Sequence, residues 1–178
     1  MTTLYRRVFK SQQTGSATIR ELLQSMFVGE MLGSGGARIW IVSPWVSNIV
    51  LIDNRSGNFD SFSPEWGRRE VRLADVLIGL MAHGTEVVLV TRDLETNRPF
   101  LNRLQEATAM YAIDEQLIVQ LDPLLHTKGI LLSHSLLIGS MNLTYNGLEM
   151  NDEWIQFSID PDDIATTRLE FAKYVEAV

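Results

Sequence analysis

The chain contains no cysteine. That excludes a disulfide framework and every zinc site built on thiolates. Histidine and lysine are nearly as scarce, with three of each: His83, His126 and His134; Lys10, Lys128 and Lys173. Three imidazoles in 178 residues leave little from which to assemble a metal cluster, so a metalloenzyme is not expected and no cofactor is implied. No run of 18 apolar residues occurs, which excludes a bilayer-spanning helix. Residues 1–16 are polar and basic and lack the apolar stretch of a secretory signal, so the expectation is a soluble, cytoplasmic protein without a membrane partner. Internal repeats, low-complexity tracts and long linkers are missing too, and residues 1–178 are read as one domain with a basic N-terminal arm over residues 1–15.

What is present is a core-forming composition, 46% apolar with a mean hydropathy of +0.03, which excludes a disordered chain. The net charge is -7 and the pI about 4.9, against a surface that grips nucleic acid all over by counterion release. The charge is unevenly placed. Residues 1–20 carry four bases (Arg6, Arg7, Lys10 and Arg20) and no acid, while residues 149–178 carry eight acids against two bases. A polyanion would have to bind locally.

Ser16 is expected to cap a helix running to Leu32, preceded by an edge strand or arm over residues 4–9. Apolar, β-rich runs at 38–43, 86–91 and 116–121 read as strands. They alternate with helical patterns at 68–82 and 97–110, and residues 54–67 read as a polar loop. This alternation predicts an α/β layer fold, an α-β-α sandwich on a mixed, largely parallel sheet. The last third predicts a hairpin of strands 126–132 and 136–141 with a turn at 133–135. A strand over 153–159 and a helix opening at Asp160-Pro161 follow.

Side chains repeat every two residues along a strand, so His126 and Lys128 share one face, and so do Ser140 and Asn142. A three-residue turn would set Lys128 opposite Ser140 and His126 opposite Asn142, with all four polar groups converging. A strand histidine is more often a hydrogen-bonded structural residue, and an edge lysine often only discourages aggregation. With so few His and Lys, however, a His-x-Lys spacing arises by chance in roughly one such chain in twenty.

His126-x-Lys128, then Gly139-Ser140-x-Asn142, then Asn151-x-Glu153, resembles the motif of the phospholipase D superfamily, His-x-Lys-x4-Asp-x6-Gly-Ser-x-Asn with a later Glu. Two departures stand out. Ser133 occupies the place of the Asp, and the segment before Gly-Ser is one residue short. The resemblance implies that His126 is a nucleophile forming a phosphohistidine, with its second ring nitrogen held by the Glu153 carboxylate. Lys128 and Asn142, with Ser140 behind them, would supply donors to the phosphoryl oxygens. Family members use a second copy of the motif to protonate the leaving group. With one copy here, the resemblance implies a homodimer sharing one site, as in the small bacterial nucleases and restriction-type members.

The implied activity is metal-independent phosphodiester cleavage in nucleic acid, DNA first. The runs Leu4-Tyr5-Arg6-Arg7-Val8-Phe9-Lys10 and Ser43-Pro44-Trp45-Val46-Ser47 are also similar to phospholipase D-like proteins encoded beside DNA 7-deazaguanine modification systems. That implies a restriction component in phage defence, with partner proteins. A catalytically weak or inactive DNA-binding subunit of a larger complex, suggested by Ser133, stays open as the alternative. A phospholipid hydrolase ranks last, because such members usually carry two motifs in one long chain.

Secondary signals have plain readings beside the functional ones. Trp45, just past a strand's carboxyl end, is placed to stack on a base or simply to pack. Arg68, Arg69 and Arg72 would meet phosphates or form a solvated helix face. Arg6, Arg7 and Lys10 would follow a nucleic-acid backbone or make a dimer contact. His134, at a turn tip, is assigned no role.

Overall fold

The apolar runs at 38–43 and 86–91 are buried on both faces, because helices cover both sides of one sheet at its centre. The computed structural model describes residues 4–11 and 15–176. Within them the order is β1 (Tyr5–Lys10), α1 (Ala17–Met31), β2 (Arg38–Val42), β3 (Val50–Asp53), β4 (Glu70–Arg72) and α2 (Leu73–Ala82). Next come β5 (Glu86–Thr91), α3 (Arg98–Met110), β6 (Leu117–Leu121), β7 (Gly129–Leu131), β8 (Leu136–Gly139), β9 (Glu153–Ser158) and α4 (Pro161–Glu176).

Seven strands form one sheet in the order β1-β9-β8-β7-β2-β5-β6, and β3 pairs with β4 in a separate ribbon. Ile39 and Ile41 of β2 and Val87 and Leu89 of β5 point to the face covered by α1, α2 and α3, where Ile19, Phe27, Leu77 and Phe100 meet them. The alternate residues Trp40, Val42, Val88 and Val90 point to the other face, against Ile164 and Phe171 of α4. Each large side chain buried this way contributes roughly 1.5–3 kcal/mol.

The α/β class and the mixed sheet follow the sequence reading, but the balance of pairings is different. Two pairings are parallel, β2 with β5 and β5 with β6. Four are antiparallel, joining β2, β7, β8, β9 and β1 in turn, so antiparallel pairs outnumber parallel ones. The strand–helix alternation governs only the half it describes; the hairpin and the N-terminal strand add the rest.

Two local expectations are corrected and one is met. The helix expected from residue 68 starts at Leu73, because Val71 pairs with Ile52 in the β3–β4 ribbon. The edge strand read at residues 4–9 is present as β1, paired along β9 from Tyr5 to Lys10 at the border of the sheet; residues 1–3 and 12–14 lie outside the described residues. Ser16 does precede α1 but makes no side-chain cap. Its hydroxyl donates to Glu149 Oε2 at 2.6 Å, and the neighbouring Arg20 guanidinium pairs with the same carboxylate.

Candidate active site

Parallel strands end their ladder together, and the open carboxyl edge is where α/β sheets bind ligands. Here that edge is built around one buried amide. Asn97, at the start of α3, donates through Nδ2 to the carbonyls of Pro44 (2.9 Å) and Arg92 (3.0 Å), and its Oδ1 accepts the N–H of Val46 (3.0 Å). The Ser43 hydroxyl donates to the carbonyl of Trp45 at 2.7 Å and accepts the N–H of Leu143 at 3.0 Å. Residues 43–47 are thus fixed to α3 on one side and to the segment after the hairpin on the other.

The hairpin register differs from the expected one by one residue. Leu132 N–H donates to the carbonyl of Ser135 at 2.9 Å, so the loop is the two residues Ser133 and His134. Gly129 consequently pairs with Ile138 and Leu131 with Leu136, setting Lys128 across from Gly139 and not from Ser140. Gly129 is closely packed in this register, since a Cβ there would lie 3.0 Å from Phe171 Cζ. The strands β7 and β8 begin and stop short of the polar residues, so strand alternation no longer decides where His126 and Asn142 point.

Ser140, Asn151 and Glu153 do come together. The Ser140 hydroxyl donates to Glu153 Oε2, and Asn151 Nδ2 approaches Oε1 at 3.4 Å. Ser140 Oγ also accepts the Trp154 N–H at 3.0 Å, while the Ser140 N–H donates to the Trp154 carbonyl at 3.0 Å. So close a junction needs the preceding glycine, because a Cβ on Gly139 would stand 2.2 Å from the Trp154 carbonyl oxygen. Lys10, buried at the end of β1, donates to the carbonyls of Gly147 and Leu148, each at 3.0 Å, and holds the turn between Asn142 and Asn151. Expected on an exposed arm, Lys10 is committed to the interior.

Lys128 lies in the electrostatic reach of Glu153 and Arg92, and its ammonium donates to the carbonyl of His126 at 2.6 Å. Burial holds its pKa below the ordinary lysine value; Glu153 opposes that shift and the positive charge of Arg92 adds to it. The His126 imidazole is exposed and makes no hydrogen bond within the described residues. Asn142 faces an adjoining cleft that Asn151 also lines, and its Oδ1 is buried without a partner. The structure therefore gathers Lys128, Ser140, Asn151 and Glu153 at one edge of the sheet, with Asn142 beside them. His126 connects through its main chain, and its ring is not bonded to Glu153.

The arginines at 69 and 72 serve the fold. Arg69 Nη1 pairs with Asp75 at 2.9 Å, and Arg72 Nη1 donates to the carbonyl of Asn48 at 2.8 Å. Arg92, by contrast, lies beside these candidate residues although no motif singled it out. Its Nε donates to the carbonyl of Leu125 at 2.8 Å, and its guanidinium lies 5.3 Å from the centroid of the Trp45 ring. The available signal was positional: Arg92 follows β5 directly, at the carboxyl edge. Among the described residues no group of three His, Asp or Glu could hold a metal ion, and no helix is long and apolar enough to cross a membrane.

Residues 49–175 match the family model for the cardiolipin synthase, phospholipase D-like domain, and the chain belongs to this family of the phospholipase D superfamily. No curated protein matches it. Among solved structures it is similar to NucT from Helicobacter pylori, with 12% identity over 97% of this chain and 96% of that one and a TM-score of 0.57. It is also similar to Nuc from Salmonella typhimurium, a phospholipase D family member, with 15% identity over 94% and 90% and a TM-score of 0.58. A third likeness is to TrmBL2, an archaeal chromatin protein whose structure shows a novel mode of DNA binding. There the identity is 13% over 98% of this chain and 53% of that one, with a TM-score of 0.54. At these identities the three likenesses establish a shared fold.

Proposed function

We propose that the chain is a phosphodiesterase that cleaves nucleic acid, DNA in the first instance, through a phosphohistidine on His126. The observation that carries this reading is the convergence of Lys128, Ser140 and Glu153 at one sheet edge, beside Asn142 and two residues from an imidazole with no other engagement. Family membership and the likeness to Nuc and NucT support the reaction class.

A ring nitrogen of His126 attacks phosphorus and forms the N–P bond as the bond to the leaving oxygen breaks. The Lys128 ammonium and the amide of Asn142 meet the charge on the nonbridging oxygens, with Ser140 holding Glu153 behind them. The leaving oxygen takes its proton from the matching His126 of a second copy across a two-fold axis. That second imidazole then removes a proton from the water that attacks the phosphohistidine, which frees His126. Glu153 supplies the negative charge that stabilises the imidazolium character of the nucleophile, a contact that assembly of the dimer and arrival of substrate would complete.

A second reading has its own support: the unbonded His126 ring and Ser133 in the motif's Asp position suit a DNA-contacting subunit that turns over only with partner proteins, as in a restriction system for phage defence. The test is cleavage of plasmid and single-stranded DNA in EDTA by wild type and His126→Ala, each with its mass determined by light scattering. Chelator-resistant cleavage by a dimer, lost in the variant, is the expected result. A verified dimer that cuts neither substrate would transfer the assignment to the second reading, and a monomer that cuts would remove the shared site.

A further inference from the structure

Beside Asn142 the sheet edge opens into a cleft of about 510 Å³, within the range of small-molecule sites. Its lining includes two aromatic residues, Trp45 and Tyr145, and three asparagines, Asn142, Asn146 and Asn151. Trp45 is 38% exposed although its main chain is held on both sides by Asn97 and Ser43, and Tyr145 is 63% exposed. An aromatic ring on a fixed backbone, left in water, is a preorganised surface: little freedom remains to be lost when something stacks on it. The Asn142 Oδ1 is buried there with no partner, and neither Asn146 nor Tyr145 spends its side chain on a hydrogen bond within the described residues.

Arg92 connects the Trp45 side of the cleft to Lys128. That guanidinium lies over the Trp45 ring, bonds the carbonyl just before His126 and adds to the positive field at Lys128. Stacking rings, amides that can pair with a base edge, and cations at one end match the parts of a nucleotide. A duplex keeps its bases stacked inward and offers none to such a cleft, so the fitting ligand is single-stranded.

We propose that the cleft between Trp45 and Tyr145 is a nucleobase subsite, seating one base of a single-stranded nucleic acid while the adjoining phosphate faces Lys128 and Arg92. The ligand class rests on the nucleic-acid reading given above, but the subsite is testable without turnover. The base lies against the indole; the amides of Asn146 and Asn151 reach its edge; Arg92 holds the indole in place and bridges to the phosphate.

The experiment uses the full chain carrying His126→Ala, so that nothing is cut. Affinity is measured by fluorescence anisotropy for a labelled single-stranded oligothymidylate of eight nucleotides, and for the same backbone with every base replaced by an abasic residue. The base-bearing strand should bind about ten-fold more tightly, as expected for one aromatic–base stack. Trp45→Leu and Tyr145→Ala, each checked for folding by its thermal melt, should each remove most of that advantage. Tyr111→Ala should not, because α3 runs away from the edge and leaves Tyr111 at its far end. Equal affinity for the two strands, no binding of either, or base-dependent binding that survives both cleft substitutions would overturn the subsite. So would a Trp45→Leu protein whose only change is its mass in light scattering, which would make the cleft a contact between copies. A wild type that binds in the expected pattern but never cleaves would overturn the phosphodiesterase and leave the subsite standing.

Discussion

Glu30 on α1 holds Ser133 at the hairpin tip with both carboxylate oxygens, one accepting the Ser133 N–H at 2.9 Å and the other its hydroxyl at 2.6 Å. The superfamily motif has its own carboxylate at that position of the hairpin. Here the helix supplies one instead. Restoring the motif should therefore do harm: Ser133→Asp sets a second carboxylate against the first, half-buried, and should cost about 1–3 kcal/mol in urea unfolding. Glu30→Gln in the same chain should recover most of the loss, since an amide can donate to the new Asp. If Ser133→Asp alone unfolds at the wild-type midpoint, the helix carboxylate is not what fixes the tip.

Two glycines make opposite predictions from the same measurement. A methyl group at Gly139 meets the Trp154 carbonyl oxygen at 2.2 Å and Ile155 Cα at 2.8 Å, backbone atoms that yield only if β8 parts from β9. Gly139→Ala should lose at least about 2 kcal/mol and disturb the Ser140–Glu153 junction with it. At Gly29, inside α1, a methyl group has nothing within 4 Å. Gly29→Ala should gain about 0.5–1 kcal/mol through the unfolded chain's lost freedom.

Asp75 ties the start of α2 to its surroundings, accepting Arg69 Nη1 at 2.9 Å, the N–H of Arg72 at 3.0 Å and Arg103 Nη2 at 3.1 Å. Burial raises its pKa, but the bonds from Arg69 and Arg72, the charge of Arg69 and the bond from Arg103 outweigh that and leave it below the ordinary value. A carboxyl with a depressed folded pKa adds stability that is full above its unfolded pKa, near 4, and is lost as pH falls through the folded value. The arginines are half-exposed, so solvent keeps the contribution to about 1 kcal/mol. Asp75→Asn should thus be less stable than wild type at pH 7, and the gap should close as pH falls through the lowered folded pKa. A gap that persists at pH 2 would make packing, not charge, the cause.

How far the site could be read from residues alone depended on what fixed each piece. The candidates His126, Lys128, Ser140, Asn142 and Glu153 stand out in the sequence because a motif is a pattern of types and spacings, which a sequence displays directly. Their mutual placement does not: the hairpin register goes with a two-residue turn whose tip is held by Glu30, 103 residues from Ser133. A one-residue slip changes every cross-strand partner. Asn97 was visible as a helix opener but not as the amide that fixes Trp45, because its partners come from β5 and the segment after β2. The β3–β4 ribbon was missed for the same reason. Asn54, fully buried, organises a stretch that composition describes only as a polar loop, with its Nδ2 donating to Asp60 Oδ1 at 2.9 Å and to the carbonyl of Gly67 at 2.8 Å.

Lys128 offers a prediction with a sign. Its pKa lies below the usual lysine value, chiefly through burial; Glu153 pulls it back up and Arg92 pushes it further down. If the protonated ammonium faces phosphate, affinity for a single-stranded oligonucleotide should fall as pH rises through that lowered pKa, earlier than an ordinary lysine would allow. The neighbours then move the alkaline limb in opposite directions. Arg92→Gln removes a like charge, raises the pKa and shifts the limb to higher pH. Glu153→Gln removes the opposing charge, lowers the pKa and shifts the limb to lower pH. Lys128→Arg, charged throughout, should abolish the limb altogether. Measuring the anisotropy profile from pH 6 to 10 in the His126→Ala chain keeps turnover out of the result. A limb that stays in place through all three substitutions would assign it to another group and leave Lys128 without a role in holding the phosphate.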